Sequence, residues 1–118
     1  MKVLRVIAFL LAFQAMPIFA ASLLVTLPKT DIVKVRTVTS TYPTVEAKGI
    51  ATVYTSVLAA PCSRGLWLDP ESDKEAYSTL LAGVMSGKDI EFKYETTAPS
   101  PWGDNAWCRI DWISIINN

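Results

Sequence analysis

Residues 72–95 read SDKEAYSTLLAGVMSGKDIEFKYE, and the reading of this stretch decides the fold class. Ser72 with Glu75 three residues later has the form of a capping box, and Asp73 and Glu75 put negative charge in the first turn, where the helix dipole favours it. Ala76, Tyr77, Leu80, Leu81, Val84 and Met85 recur at helical spacing and make one apolar stripe. Gly87 stands where a left-handed residue ends a helix, with Lys88 just beyond. The pattern predicts a helix over 73–86. From residue 89 the period changes: Ile90, Phe92 and Tyr94 alternate with Asp89, Glu91, Lys93 and Glu95, the signature of a half-buried strand. One amphipathic helix running straight into such a strand implies a sheet with a helix against one of its faces.

Working outward, residues 106–116, AWCRIDWISII, predict a last strand. The intervening 96–105, TTAPSPWGDN, carries two prolines and a glycine and reads as a surface loop. On the other side, 29–41 (KTDIVKVRTVTST) is dominated by Val, Ile and Thr and predicts a strand stopped by Tyr42 and Pro43. After a short loop at 43–49, residues 50–58 (IATVYTSVL) predict its antiparallel partner. Ala51, Val53, Thr55 and Val57 fall on one face of that strand, and Ile50, Thr52, Tyr54 and Ser56 on the other. Leu66, Trp67 and Leu68 read as a short third strand closed by Asp69 and Pro70. The expected class is α+β, mainly β. Its form is either a small five-stranded barrel of the OB type, with the helix between the third and fourth strands, or an antiparallel sheet with the helix on one face.

Residues 1–21 have the three-part layout of a secretory signal peptide: Lys2 and Arg5, an apolar run, then Ala20 and Ala21 for cleavage. An uncleaved anchor is the alternative, because 6–27 is uncharged over about the 20 residues a spanning helix needs. Export to the periplasm or the extracellular space is the expectation, with 22–118 as one small β-rich domain. Lys2 and Arg5 leave with the signal, which takes 11 basic residues to 9 against 11 acidic. That balance has no basic excess and argues against nucleic-acid binding, which rests on phosphate neutralisation. Membrane contact is expected only through the signal segment before cleavage. Cys62 and Cys108 are the two cysteines of the chain. In an exported small domain an even count predicts a disulfide between them.

The stretch 71–116 resembles the helix-strand-strand half of the receptor-binding subunits of pentameric bacterial toxins, the cholera-toxin type. The resemblance lies in an exported chain of this size with one disulfide, a helix before two final strands, and a closing ISIINN segment. In those subunits a Cys near the amino terminus pairs with one after the helix, whereas here Cys62 comes shortly before the helix, and no toxin residue is carried over. The chain is also similar to a broad group of small uncharacterised exported proteobacterial proteins. That likeness rests on LWLDP (66–70), AYSTLLAGVMSGKDIEF (76–92) and CRI (108–110). It implies no particular activity.

No catalytic constellation is expected. The chain has no His, so a Ser-His-Asp or Cys-His arrangement cannot be built, and a disulfide leaves no free thiol. Asp69, Glu71, Asp73 and Glu75 flank the helix start as capping and solvation charges. They lack the Gly and distal Glu of a calcium loop. Two Cys without His do not make a zinc site, and no metal or cofactor is expected.

The remaining signal is aromatic, in the four tryptophans Trp67, Trp102, Trp107 and Trp112. Trp107 and Trp112 would face opposite sides of the last strand unless a bulge intervenes. Trp102 sits between prolines and Gly103, beside Asp104 and Asn105. Aromatic faces next to fixed polar groups suit a sugar site. Trp102, Asp104, Asn105 and Trp107 are the candidate ligand-binding residues, with Trp102 as a lid on the barrel end as the alternative. The expected function is non-catalytic binding of a glycan or protein partner, with self-association left open. A structural or inhibitory role through a strand edge, and a toxin-type receptor-binding role, stand as alternatives.

Overall fold

The computed structural model describes residues 22–117, so the expected signal peptide at 1–21 lies outside the described residues. Six strands, β1 Ser22–Leu27, β2 Lys34–Thr37, β3 Ala51–Tyr54, β4 Gly65–Leu68, β5 Asp89–Glu95 and β6 Trp107–Ile116, form one sheet in the order β1-β5-β6-β4-β3-β2. A single α-helix, α1 Lys74–Ser86, lies between β4 and β5 in the chain. The protein is α+β and mainly β, as the 72–95 pattern implies. The sheet is mixed: β4 and β6 run parallel, pairing Gly65 with Trp107 and Leu66 with Cys108, while every other pair is antiparallel.

The outline differs from the sequence reading in several places, and the strand expected over 50–58 is confined to β3. The strand expected over 29–41 is confined to β2. Pro28 opens a 3-10 turn at Lys29–Asp31, and 28–33 carries the chain from one edge of the sheet to the other. β1 has no strand signal in the sequence, because its uncharged SLLVTL continues the apolar run before it and shows no alternation. It nevertheless pairs with β5 from Ser22 opposite Glu95 to Leu27 opposite Ile90. The expected capping box is also absent. Asp73 occupies the N-cap without a side-chain cap, and the Asp69 carboxylate instead accepts the Glu71 N–H at 2.9 Å. At the other end Gly87 closes the helix in the left-handed region at φ 66°, its N–H bonding back to the last turn.

The core lies between the sheet and α1. Leu27, Val53, Leu66, Leu80, Ile90, Phe92 and Cys108 are fully buried, and the alternation read over 89–95 holds residue for residue. Met85 does not belong to the buried stripe; it is 87% exposed. The helix rests on β5 and β6 and reaches the far edge through Tyr77, whose hydroxyl meets Thr37 Oγ1 at 2.7 Å on β2. The two edge strands, β1 and β2, do not pair with each other and are joined only along the chain by 28–33. The result is an open, OB-like arrangement and not a closed barrel. Among the described residues no helix is long and apolar enough to cross a membrane.

Close approach of helix and sheet depends on Gly83. A Cβ there would lie 2.8 Å from Ile90 Cδ1 and 3.3 Å from Ile115 Cγ1. Gly83→Val is expected to lower stability by about 1–3 kcal/mol through overpacking. That loss outweighs the few tenths of a kcal/mol gained in helix propensity, about 0.5 at most. Urea unfolding reads it as a lower midpoint; a raised midpoint would contradict this packing.

The disulfide between Cys62 and Cys108 is formed, with Cα atoms 5.4 Å apart and both residues fully buried. It ties the β3–β4 connection to β6 beside the parallel pairing.

Candidate functional site

The sheet face turned away from α1 carries the site. Strand period places Thr52 and Tyr54 of β3, Trp67 of β4, and Trp107 and Arg109 of β6 on this face, opposite the core residues Val53, Leu66 and Cys108. Across the β2–β3 pair, Lys34 stands opposite Tyr54 and Arg36 opposite Thr52. Their charged ends lie over the Tyr54 ring, Lys34 Nζ at 4.2 Å and the Arg36 guanidinium carbon at 5.1 Å from its centroid.

Four aromatic rings form a continuous chain here. Tyr54 meets Trp107 edge-on at 4.8 Å, Trp107 meets Trp102 at 5.9 Å, and Trp102 meets Trp67 at 6.5 Å. Such edge-to-face pairs add about 0.5–1.5 kcal/mol each beyond area burial. Trp107 is buried as the floor, whereas Trp102 is half-buried and forms a wall. The Trp67 indole N–H beneath Trp102 is a buried donor without a partner among the described residues.

The 96–106 loop holds Trp102 by its own hydrogen bonds. Ser100, Pro101, Trp102 and Gly103 make a turn closed by the Gly103 N–H donating to the Ser100 carbonyl at 2.8 Å, with Gly103 at φ 81°. The buried Ser100 hydroxyl accepts the Asp104 N–H at 2.9 Å and donates to the Asp104 carbonyl at 3.0 Å. The Asp104 carboxylate accepts the Ala106 N–H at 2.9 Å and faces the Arg64 guanidinium at 3.4 Å. Pro101 pre-sets the backbone of this turn and lowers the entropy that a ligand contact would otherwise cost.

These groups border a cleft of about 270 Å³. Trp102 and Trp107 form one side, Tyr42 of the 38–50 loop another, and Arg36, Arg64 and Asp104 supply charge. Of the four residues singled out from sequence, the fold brings Trp102, Asp104 and Trp107 together at the cleft. Asn105 is exposed and outside it. Arg36, Tyr42, Tyr54 and Arg64 were not singled out. The alternation over 50–58 places Thr52 and Tyr54 on one face, but only the strand register joins that face to Arg36.

A bulge decides the place of Trp112. β5 pairs Lys93 with Trp112 and Tyr94 with Ile110, so Asp111 is an extra residue. The inserted residue shifts the alternation, and Trp112 shares the side of Trp107 instead of opposing it. It stands beside Lys93, 37% exposed, on the far part of this face. Arg109, ion-paired with Glu95 and 3.4 Å from Asp111, separates it from the cleft.

Asp69, Glu71, Asp73 and Glu75 stay at the helix start, away from the cleft, and no cluster of metal-ligating side chains occurs among the described residues. No family model, no curated protein and no solved structure matches this chain.

Proposed function

We propose that the protein is a small exported binding domain that acts without catalysis and holds a glycan in the cleft beside the 96–106 loop. The observation that carries this reading is the cleft itself, where the faces and edges of Tyr42, Trp102 and Trp107 meet hydrogen-bonding groups of Arg36, Arg64 and Asp104. Rings take the apolar C–H surfaces of a sugar, and fixed polar groups orient its hydroxyls. The disulfide supports export, since such bonds persist in oxidising compartments.

A glycan array probed with the protein tests the reading, followed by Tyr42→Ala and Trp102→Ala on any glycan that binds. Tyr42 is 46% exposed. Its loss is expected to weaken binding about tenfold or more while stability stays within about 0.5 kcal/mol. Trp102→Ala is expected to abolish binding and to cost about 1–3 kcal/mol of stability through its two ring contacts. Glycan binding that survives both changes would place the ligand elsewhere.

A second reading, a structural or inhibitory role through a strand edge, is favoured by β1. This edge carries no charge, and Leu23 and Leu24 are exposed at 42% and 61%. The opposite edge, β2, is guarded by Lys34 and Arg36. Self-association through β1 would suit the toxin-type alternative as well. Sedimentation of the protein as a monomer at micromolar concentration would count against the toxin-type alternative, and failure to co-purify a partner that pairs with β1 would count against the strand-edge role.

A further inference from the structure

The geometry points to an acidic linear oligosaccharide, one bearing carboxylate or sulfate groups, as the ligand class of this cleft. The inference rests on the glycan reading above and names its substrate class.

The first ground is charge. Lys34, Arg36 and Arg64 converge on the Tyr54 and Trp107 pair, and Asp104 is the one carboxylate lining the cleft. Asp104 is engaged by Arg64 and by the Ala106 N–H. Neither Lys34 nor Arg36 has a carboxylate within ion-pair distance among the described residues. Both are held by the face of the Tyr54 ring, which orients a cation without neutralising it. The local excess of positive charge stands out in a chain with no basic excess overall. A fork-shaped guanidinium over an aromatic floor suits a planar carboxylate or a sulfate carried by a ring that stacks beside it.

The second ground is shape. A further cavity of about 380 Å³ adjoins the first and shares Tyr54, Arg64 and Trp107 with it. It ends at Val33 and Ser56 on the far side. The aromatic pair therefore forms a saddle between two depressions, open at both ends, with Arg64 bordering both. That form suits an internal stretch of at least two sugar units rather than one terminal ring. The Thr52 and Asp104 oxygens offer acceptors for sugar hydroxyls, of which a phosphodiester chain has few to donate.

The test is calorimetric titration of the protein with hexagalacturonate, with a heparin-derived hexamer, with neutral cellohexaose, and with a single-stranded hexanucleotide, at low and at physiological salt. At least one acidic hexamer is expected to bind about tenfold or more tighter than cellohexaose, weakening as salt rises. The two acidic arms distinguish carboxylate from sulfate. Digalacturonate and a heparin-derived disaccharide are titrated alongside, and the acidic disaccharide is expected to bind less tightly than the hexamer of the same polymer. Arg36→Gln should bring the acidic hexamer to the level of the neutral one while lowering the melting temperature by no more than about 5 °C through the lost contact with the Tyr54 ring, and Ser56→Trp, which fills the second depression, should remove the advantage of hexamer over disaccharide. Equal binding of cellohexaose and both acidic hexamers would overturn the acidic class and leave the glycan reading standing. Tightest binding of the hexanucleotide, or no binding of any saccharide, would overturn both.

Discussion

Replacing Cys62 and Cys108 together by Ala is expected to destabilise the protein by about 4 kcal/mol and to lower its melting temperature by about 20 °C. The bond spans a sequence separation of 46 residues. The chain-entropy model assigns a loop of that length about 4 kcal/mol, by restricting the unfolded chain. A domain of this size loses about 4–8 °C per kcal/mol. The position of the bond adds to its weight. It joins the β3–β4 connection to β6 next to the parallel β4–β6 pairing, the contact that brings the middle of the chain to its last strand. Such pairing carries a large loop-closure cost before it gains any contact energy. Thermal unfolding of the double variant, and of the parent protein with and without reductant, measures the effect. A shift below about 5 °C would show that the packing around Leu66 and Ile110 suffices without the bond.

Gly65→Ala is expected to cost about 3–5 kcal/mol, combining strain at a glycine-only conformation with a steric clash. Gly65 has φ 138°, and a Cβ built there lies 2.0 Å from the Val53 carbonyl oxygen and 3.2 Å from Trp107 Cζ3. The first neighbour is backbone of the adjacent strand and cannot retreat without opening the β3–β4 ladder. The second is the ring that floors the cleft. The same substitution should therefore weaken both folding and ligand binding, unlike Tyr42→Ala, which touches binding alone. Chemical denaturation gives the stability term. A loss under about 1 kcal/mol would mean that the β3–β4 pair yields at this point.

These two sites show how differently the chain discloses its parts. The disulfide follows from cysteine count alone, because two thiols in a domain expected to be exported leave one pairing. Gly65 gives no such sign: one glycine between Arg64 and Leu66 has no local pattern that marks it. Its necessity comes from how near Val53 and Trp107 approach. The helix and β5 were legible within one residue at either end, because amphipathic periods of 3.6 and 2 are local properties of the stretch that carries them. Strand β1 was hidden, since an uncharged edge strand has the same composition as the apolar run before it, and its pairing with β5 lies some 70 residues along the chain.

What the sequence determined by itself is the class and its local parts: one amphipathic helix ended by Gly87, a half-buried strand after it, a Pro- and Gly-rich loop presenting Trp102, and a disulfide between Cys62 and Cys108. Each rests on spacing within a few residues or on a count. The cleft was decided by tertiary structure. Arg36, Tyr42, Tyr54 and Arg64 come from separate segments, and their convergence on Trp102 and Trp107 depends on the β2–β3 register and the parallel placing of β4 beside β6. The bulge at Asp111 likewise reverses the face of Trp112, and the unguarded edge at β1 exists only because the sheet order leaves it outermost. Strand pairing sets which distant residues share a face, and a shift of one residue turns every side chain to the other side. A local pattern can name a strand, but only its neighbours decide what that strand presents.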